Sequence, residues 1–579
     1  MAQRVVLLVG TRKGAFVISS DPGRRDWTIE GPRCEGYPIH DMTMDPATGR
    51  AWAAGGSPWY GPTVFTSDDL FETWTQSSSG LAYGPDAEPI PTIWSLGRSN
   101  GTLYAGVEPA GLFRSDDEGR TWQHVEGLTN HPSRPTWQPG NGGLILHTIV
   151  SHPSDPRRMW VGISAVGVFE TRDGGETWET RNRGVVAVGA PDPYPETGQC
   201  VHKLVMAAGR PERLYQQNHS GVYRSDDGGE TWKQLSSDTN LTGRPWYFNH
   251  IRADPNDADT VWVLNFEIWK SIDGGTNWQV VAGPHADYQD IWFDPEDSDR
   301  IILGHDGGAC VSLNGGESWS SIYNQPTGEF YHASVDNRFP YRVYGAQQDN
   351  STVRILHRTD GFSISEADWQ PTAGGESGHL AVDPTDEDVV FGGSYDGFLT
   401  RRNHRTGEER GVNVWPDNPM GHGAEGAKYR FQWNFPIFFS PHDPKKLYAA
   451  SQHLHVSTNG GQTWEIISPD LTRNDPTKLG PSGGPITKDN TAVEYYCTIF
   501  AVAESPYEKN LVIAGSDDGV LSITRDGGKN WEKITPPSMP EWSMISPAGI
   551  SRTHHALWHR EHPCRRMRSS VSPCAPSGD

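Results

Sequence analysis

Apolar residues along this chain come in short runs, each broken by a turn rich in glycine and aspartate. Gly221-Val222-Tyr223-Arg224 and Gly167-Val168-Phe169-Glu170 are typical: each leads into a fixed turn phrase and then into another strand-like segment. That is the pattern of a β-hairpin with its turn spelled out. The phrase is Ser/Thr-x-Asp-Gly-Gly-x-Thr-Trp. Clear copies stand at Ser115–Trp122, Thr171–Trp178, Ser225–Trp232, Ser271–Trp278 and Thr524–Trp531, and degenerate ones end at Trp27, Trp74, Trp319 and Trp464.

A second phrase alternates with the first: two apolar positions around any residue, then Asp-Pro or a variant, then a strand. It stands at Met42–Pro46, Ile149–Pro153, Ile251–Pro255, Ile291–Pro295, Leu380–Pro384 and Ile437–Pro441, with looser versions near Ser95, Leu204, Val335 and Val502. Each leads to a second strand, a third, usually the turn phrase, and a fourth, at spacings of roughly 40 to 65 residues. Four antiparallel strands per repeat make a propeller blade. The fold class expected is all-β: a β-propeller of about ten four-stranded blades in one ring, with two smaller propellers as the alternative. The stretch from Arg4 to Trp27 carries a blade's second and third strands without a first, as in a chain that starts mid-blade and completes that blade with its other end. Residues 1–543 are read as this propeller domain, in one ring or two. Residues 544–579 lose the pattern and gain Arg552, Arg560, Arg565, Arg566 and Arg568. They are expected to be an irregular, disordered basic tail, a truncated or frame-shifted end.

The turn phrase has a backbone chemistry. Its hydroxyl and carboxylate satisfy loop N–H groups, its glycines take positive φ, and its Trp packs between sheets. Recurrence in nearly every repeat makes these aspartates structural, since hydrolysis needs a carboxylate only once or twice.

Charge narrows the function classes. Asp+Glu 72 against Lys+Arg 49 leaves a net charge of −23, which repels a phosphate backbone, so nucleic acid is not expected as a partner. The N-terminal apolar run stops at Gly10, short of a signal-peptide core. No stretch reaches the roughly 18 apolar residues of a membrane helix. The expectation is a soluble, cytoplasmic protein without a membrane partner. Cys34, Cys200, Cys310, Cys497, Cys564 and Cys574 form neither a Cys-x-x-Cys pair nor a dense framework, and read as buried thiols in a reducing compartment.

With these repeats the chain resembles the BNR/Asp-box propellers, a group that includes sortilin-type receptors, xyloglucanase-like glycoside hydrolases, sialidases and plant photosystem assembly factors. The resemblance covers nearly all of residues 1–543. Glu329-Phe330-Tyr331-His332, Tyr344 to Asn350 and Trp415 to Gly423 look like large bacterial proteins labelled sortilin-like or glycosyl hydrolase. Such labels rest on a repeat shared by enzymes and non-enzymes. The chain departs from the group in three places. The Arg-Ile-Pro motif of sialidases is missing. The first hairpin loop, where xyloglucanase-like enzymes place an Asp, reads Thr11-Arg12-Lys13-Gly14. The Cys-rich module that follows the propeller in sortilin-type receptors is absent.

Strand alternation gives a place for function. If first strands run from top to bottom, the Asp-Pro turns and the repeat turns share the bottom. The top then holds first-strand starts, second-to-third-strand loops and long connections, and propeller ligands bind there. The first-strand starts carry His40, Asp41, His147, His202, His250, Asp290, His332 and His379. Histidines at one recurring position could ring a channel, but a wide ring spreads them too far for one ion; no metal and no cofactor are expected. The loops add Trp59, Tyr60, Glu108, His219, Glu267, His305, Asp306, Gln348, Asp349, Tyr395, Asp396, His453, Asp517 and Asp518. Rings to stack on a sugar and carboxyl groups to serve as acid and base are what a glycosidase needs.

The catalytic candidates are Glu267, Asp306, Asp349 and Asp396, and the binding candidates Trp59, Tyr60, His250, Asp290, His332 and His379. Trp137, Tyr194 and Trp415, on long connections, are expected either to wall a groove or to pin each loop to its own blade. With the motifs of both enzyme families missing, the main expectation is a non-catalytic binding scaffold that takes a carbohydrate or a protein or peptide ligand on its top face. The alternative is a glycoside hydrolase acting on a polysaccharide through a carboxylate pair in a top-face groove.

Overall fold

The computed structural model describes residues 5–537 apart from 24–25, 58, 86, 141–142, 244–248, 324–327, 418–421, 484–487 and 490–494. The tail 544–579 lies outside the described residues. The structure is almost entirely antiparallel sheet, in two compact units: residues 1–325 with 483–487, and residues 326–482 with the chain from 488 on.

Seven sheets of the first unit open with Val5–Thr11, Ile39–Met44, Thr92–Ser99, Leu146–Ser151, Lys203–Ala207, His250–Ala253 and Tyr288–Asp294. Four sheets of the second unit open with Phe330–Val335, Leu380–Val382, Ile437–Phe439 and Ile499–Glu504. Numbered in this order, the first and seventh have three strands and the other nine have four, each strand paired with the next along the chain. These are propeller blades. The first sheet lacks a blade's opening strand, as the stretch from Arg4 to Trp27 foretold.

The repeat turn folds locally and reaches outward. In the fifth sheet the Ser225 hydroxyl donates to Asp227 Oδ1 (2.7 Å) and accepts the Gly229 N–H (2.8 Å), while Asp227 takes the Thr231 amide (2.9 Å) and hydroxyl (2.5 Å). Gly228 and Gly229 sit at φ +72° and +91°, where a side chain would be strained. In several copies the Trp that ends the turn reaches the preceding sheet: Trp232 Nε1 donates to the Arg181 carbonyl (2.7 Å), Trp464 to Val412 (3.0 Å) and Trp531 to Ile467 (2.9 Å), whereas Trp178 and Trp278 donate to Gly175 and Gly275 of their own turns.

Apolar residues of facing sheets close the space between blades. Trp160 and Val168 of the fourth sheet pack with Leu204, Leu214 and Tyr223 of the fifth. Every core cluster among the described residues draws on one unit only. The repeat turns, in the sheets that carry them, occupy one end. At the opposite end lie the first-strand starts and the hairpins between second and third strands, and the chemistry gathers there.

Candidate active site

In the first unit the first-strand starts converge. Asp41 accepts the N–H groups of Met42 and Leu96, both at 2.8 Å; burial raises its carboxyl, and those bonds and the Lys203 charge oppose the rise. Lys203 is pushed down to about 8 by burial and by Arg252, with Asp290 and Asp41 working the other way. Asp290 and Arg252 are paired at 2.7 Å. His147 and His250 are each held at about 4, chiefly by burial. Side chains from the second, fourth, fifth, sixth and seventh sheets therefore share one polar centre of acids, cations and neutral imidazoles. Its two carboxylates are already engaged by N–H groups or by a guanidinium, so this centre holds no carboxyl with both oxygens unengaged.

The second unit builds a different cluster, where the eighth and ninth sheets adjoin. Tyr331, on the first strand of the eighth sheet, donates its hydroxyl to Gln348 Oε1 (2.5 Å). Its ring meets Trp433 edge-on, 6.4 Å between centroids at 76°, and Trp433 lies parallel to Tyr395, 5.3 Å away at 5°. Burial raises the Tyr331 phenol, and the charges of Glu329, Glu376 and Asp349 add to the rise. Glu376 Oε2 accepts the Asp349 N–H at 2.8 Å, bracing a hairpin in which Asp349 and Ser351 both take positive φ. Trp433 and Asn434 ride on the connection after the ninth sheet. Arg430, 6% exposed, fixes that connection by donating to Asp470 (2.8 Å) and to the Cys497 carbonyl (3.0 Å). His332 and His379 stack face to face, 3.7 Å between centroids, with the Asn434 amide 3.5 Å from His332 Nε2. Burial lowers both rings, His379 to about 3, so both are neutral near pH 7.

Asp396 follows Tyr395 in the hairpin between Val389–Gly393 and Leu399–Asn403. Asp396 and Gly397 take φ +63° and +73°, a left-handed pair that Asp-Gly tolerates. This conformation tucks the carboxyl inward. Asp396 is 7% exposed, neither carboxyl oxygen has a hydrogen-bond partner, and burial pushes it up to about 7. Asp517 is also pushed up to about 7 by burial, but takes the Thr498 amide (3.0 Å) and hydroxyl (2.7 Å). Among the described residues, Asp396 alone joins a carboxyl raised to near neutrality with two unengaged oxygens.

The four catalytic candidates divide between the units. Asp349 and Asp396 flank the aromatic cluster of the second. Glu267 and Asp306 belong to the first, where Glu267 closes a tight hairpin onto Asn265 (3.1 Å) and Asp306 accepts from the Gln289 amide (2.7 Å). Of the binding candidates, His250 and Asp290 join the polar centre, His332 and His379 form the stacked pair, and Trp59 and Tyr60 stand 92% and 61% exposed in the second sheet. Trp137 walls no groove: it is 6% exposed, donates to Ser133 Oγ (2.9 Å) and packs on Phe169. The Thr11 turn is closed by its own hydroxyl on the Gly14 carbonyl (2.8 Å) and holds no carboxylate. Glu376 and Trp433 escaped the sequence reading because they lie on connections between sheets, which the repeat does not phase. The aromatic run Phe431-Gln432-Trp433-Asn434-Phe435 was the available signal.

The family model described as Sortilin-Vps10: Sortilin, neurotensin receptor 3 matches residues 220–381. An oligoxyloglucan-reducing end-specific xyloglucanase of Emericella nidulans is 25% identical over 278 residues, 42% of this chain and 33% of its own. A xyloglucanase of Acetivibrio thermocellus is 23% identical over 320 residues, 47% and 36% of the two chains. A probable oligoxyloglucan-reducing end-specific xyloglucanase of Neosartorya fischeri is 33% identical over 269 residues, 38% and 30%. The chain spans about a third of the length of these curated relatives. Among solved structures, a GH74 xyloglucanase from Xanthomonas campestris covers 92% of each chain at 14% identity with a TM-score of 0.44, a weak likeness.

The chain is thus similar to sortilin-like and xyloglucanase-like propeller proteins, as its repeats implied. The expectation of a non-catalytic scaffold is corrected by the curated relatives, which are named as xyloglucanases and favour the hydrolase alternative. Among the described residues no helix is long and apolar enough to cross a membrane.

Proposed function

We propose that the protein is a glycoside hydrolase acting on xyloglucan or a closely related β-glucan, with Asp396 as the proton donor. The observation that carries this reading is the Asp396 carboxyl, buried, without hydrogen-bond partners and raised to about 7. A glycosidase acid must hold its proton at working pH and release it to the departing oxygen, and burial without ionic partners is one way to raise a carboxyl to that point. The Tyr395, Trp433 and Tyr331 rings offer apolar faces and edges to a glucan chain. The complementary carboxylate is assigned to Glu376, steadied by the Asp349 N–H. The turn at Thr11, where the xyloglucanase-like resemblance expects an Asp, has none to give.

The test is reducing-end release from tamarind-type xyloglucan by the full chain. Asp396→Asn is expected to lower kcat by about 100-fold or more, the usual range for loss of a general acid. Glu376→Gln is expected to fall comparably, while Asp306→Asn and Glu267→Gln stay near the parent rate. The pH profile should decline as pH rises through about 7, where Asp396 gives up its proton. Release unaffected by Asp396→Asn would refute the assignment, and no release from any glucan would refute the hydrolase.

A further inference from the structure

One end of the fifth sheet brings together three soft ligands that the hydrolase reading does not use. Cys200 and His202 stand two residues apart on the segment that leads into Lys203–Ala207, with a bend at His202. Lys203 pairs with Gln217, and the His202 N–H bonds the Gln217 carbonyl at 2.9 Å. That register carries the chain beyond Gln217 back over the entering strand and delivers His219, in the hairpin turn, to the same place. The His202 and His219 rings meet edge to face, 4.5 Å between centroids. The Cys200 sulfur and one nitrogen of each imidazole all lie within 4.8 Å of one another. His202 Nδ1 is buried and has no hydrogen-bond partner.

We propose that Cys200, His202 and His219 form a binding site for a single Zn²⁺ or similar late transition-metal ion. A tetrahedral zinc with Zn–N of about 2.0 Å and Zn–S of about 2.3 Å separates its ligand atoms by about 3.3 to 3.6 Å. The three atoms, all within 4.8 Å of one another, lie within about 1.5 Å of that spacing. One thiolate and two imidazoles select zinc, cobalt or copper over calcium and magnesium, which prefer oxygen. Three protein ligands leave a fourth position for water or an incoming donor. The ion ties the long connection that ends at Cys200 to the hairpin at His219, and its role there is to hold that loop in place. The expectation that the histidines are too dispersed for an ion considered only those at first-strand starts. It left out a cysteine two residues upstream and a histidine across the hairpin.

The experiment is a Co²⁺ titration of chelator-treated, tag-free full-length protein, read by absorbance. One equivalent should develop the visible ligand-field bands of tetrahedral cobalt together with a near-ultraviolet thiolate-to-cobalt band, and one equivalent of Zn²⁺ should bleach both. Cys200→Ser should remove the thiolate band, and His219→Gln, a change in a hairpin turn, should weaken binding at least tenfold. Both variants are checked for a parental circular-dichroism spectrum, so that misfolding is distinguished from ligand loss. Absence of a saturable cobalt spectrum, or a thiolate band that survives Cys200→Ser, would overturn the proposal.

Discussion

Asp396 and the turn aspartates are the same residue type pushed in opposite directions by their surroundings. Thr73 and Ser67 bonds hold Asp69 at about 2, and Asn277 holds Asp273 there, whereas burial without a partner takes Asp396 to about 7. An unfolded Asp titrates near 4, so the native protein binds the Asp396 proton more tightly than the unfolded chain does. Stability tied to this residue is therefore full below about pH 4 and is lost as pH rises through about 7. Asp396→Asn removes that loss. Denaturant midpoints of the variant and the parent should coincide at pH 4 and separate at pH 8, with the variant the more stable. A parent that is the more stable at pH 8 would mean that the carboxylate has a stabilising partner.

At the scale of the element, one oxygen-rich side chain closes the repeat turn on itself. Asn314 and Asn459 replace Asp in two copies and keep the bonds to the following Ser or Thr: the Ser318 amide lies 3.0 Å from Asn314 Oδ1 and the Thr463 amide 3.0 Å from Asn459 Oδ1. The acceptor oxygen matters more than the charge. Asp227→Asn should therefore change stability little, whereas Asp227→Ala, which strands the Thr231 and Ser225 donors, should cost about 1–3 kcal/mol by chemical denaturation. Equal losses from both would show that the charge carries the turn. In the Asp69 and Asp273 copies the contribution is present above about pH 4 and fades as pH falls toward 2, so acid should weaken the aspartate turns before the asparagine ones.

For the whole molecule, confinement of each core cluster to one unit has a thermal consequence. Units with separate cores unfold as separate cooperative blocks unless their interface is large and apolar. Calorimetry of the full chain should resolve two transitions. Asp396→Asn at pH 8 should shift only the one belonging to residues 326–482 and beyond. A single transition that moves as a whole would show that the units melt together.

Local pattern along the chain was enough to specify the blade. Turn phrases act over eight residues and strand alternation over a hairpin, so the four-stranded repeat, the incomplete first sheet, the structural role of the turn aspartates and the end of the sheets where polar residues gather were all legible in the local pattern. What the repeat does not encode arises from contacts between distant parts of the chain. The separation of the sheets into two groups depends on which apolar faces meet. The distinction among Asp306, Asp349, Asp396 and Asp517 depends on burial and on whether a neighbour such as Gln289 or Thr498 supplies a donor. Glu376, Trp433 and the meeting of Cys200 with His219 depend on connections and registers that bring distant positions within a few ångströms. Local patterns fix conformations of a few residues each; pKa values, stacked rings and ligand sets are properties of three-dimensional neighbours.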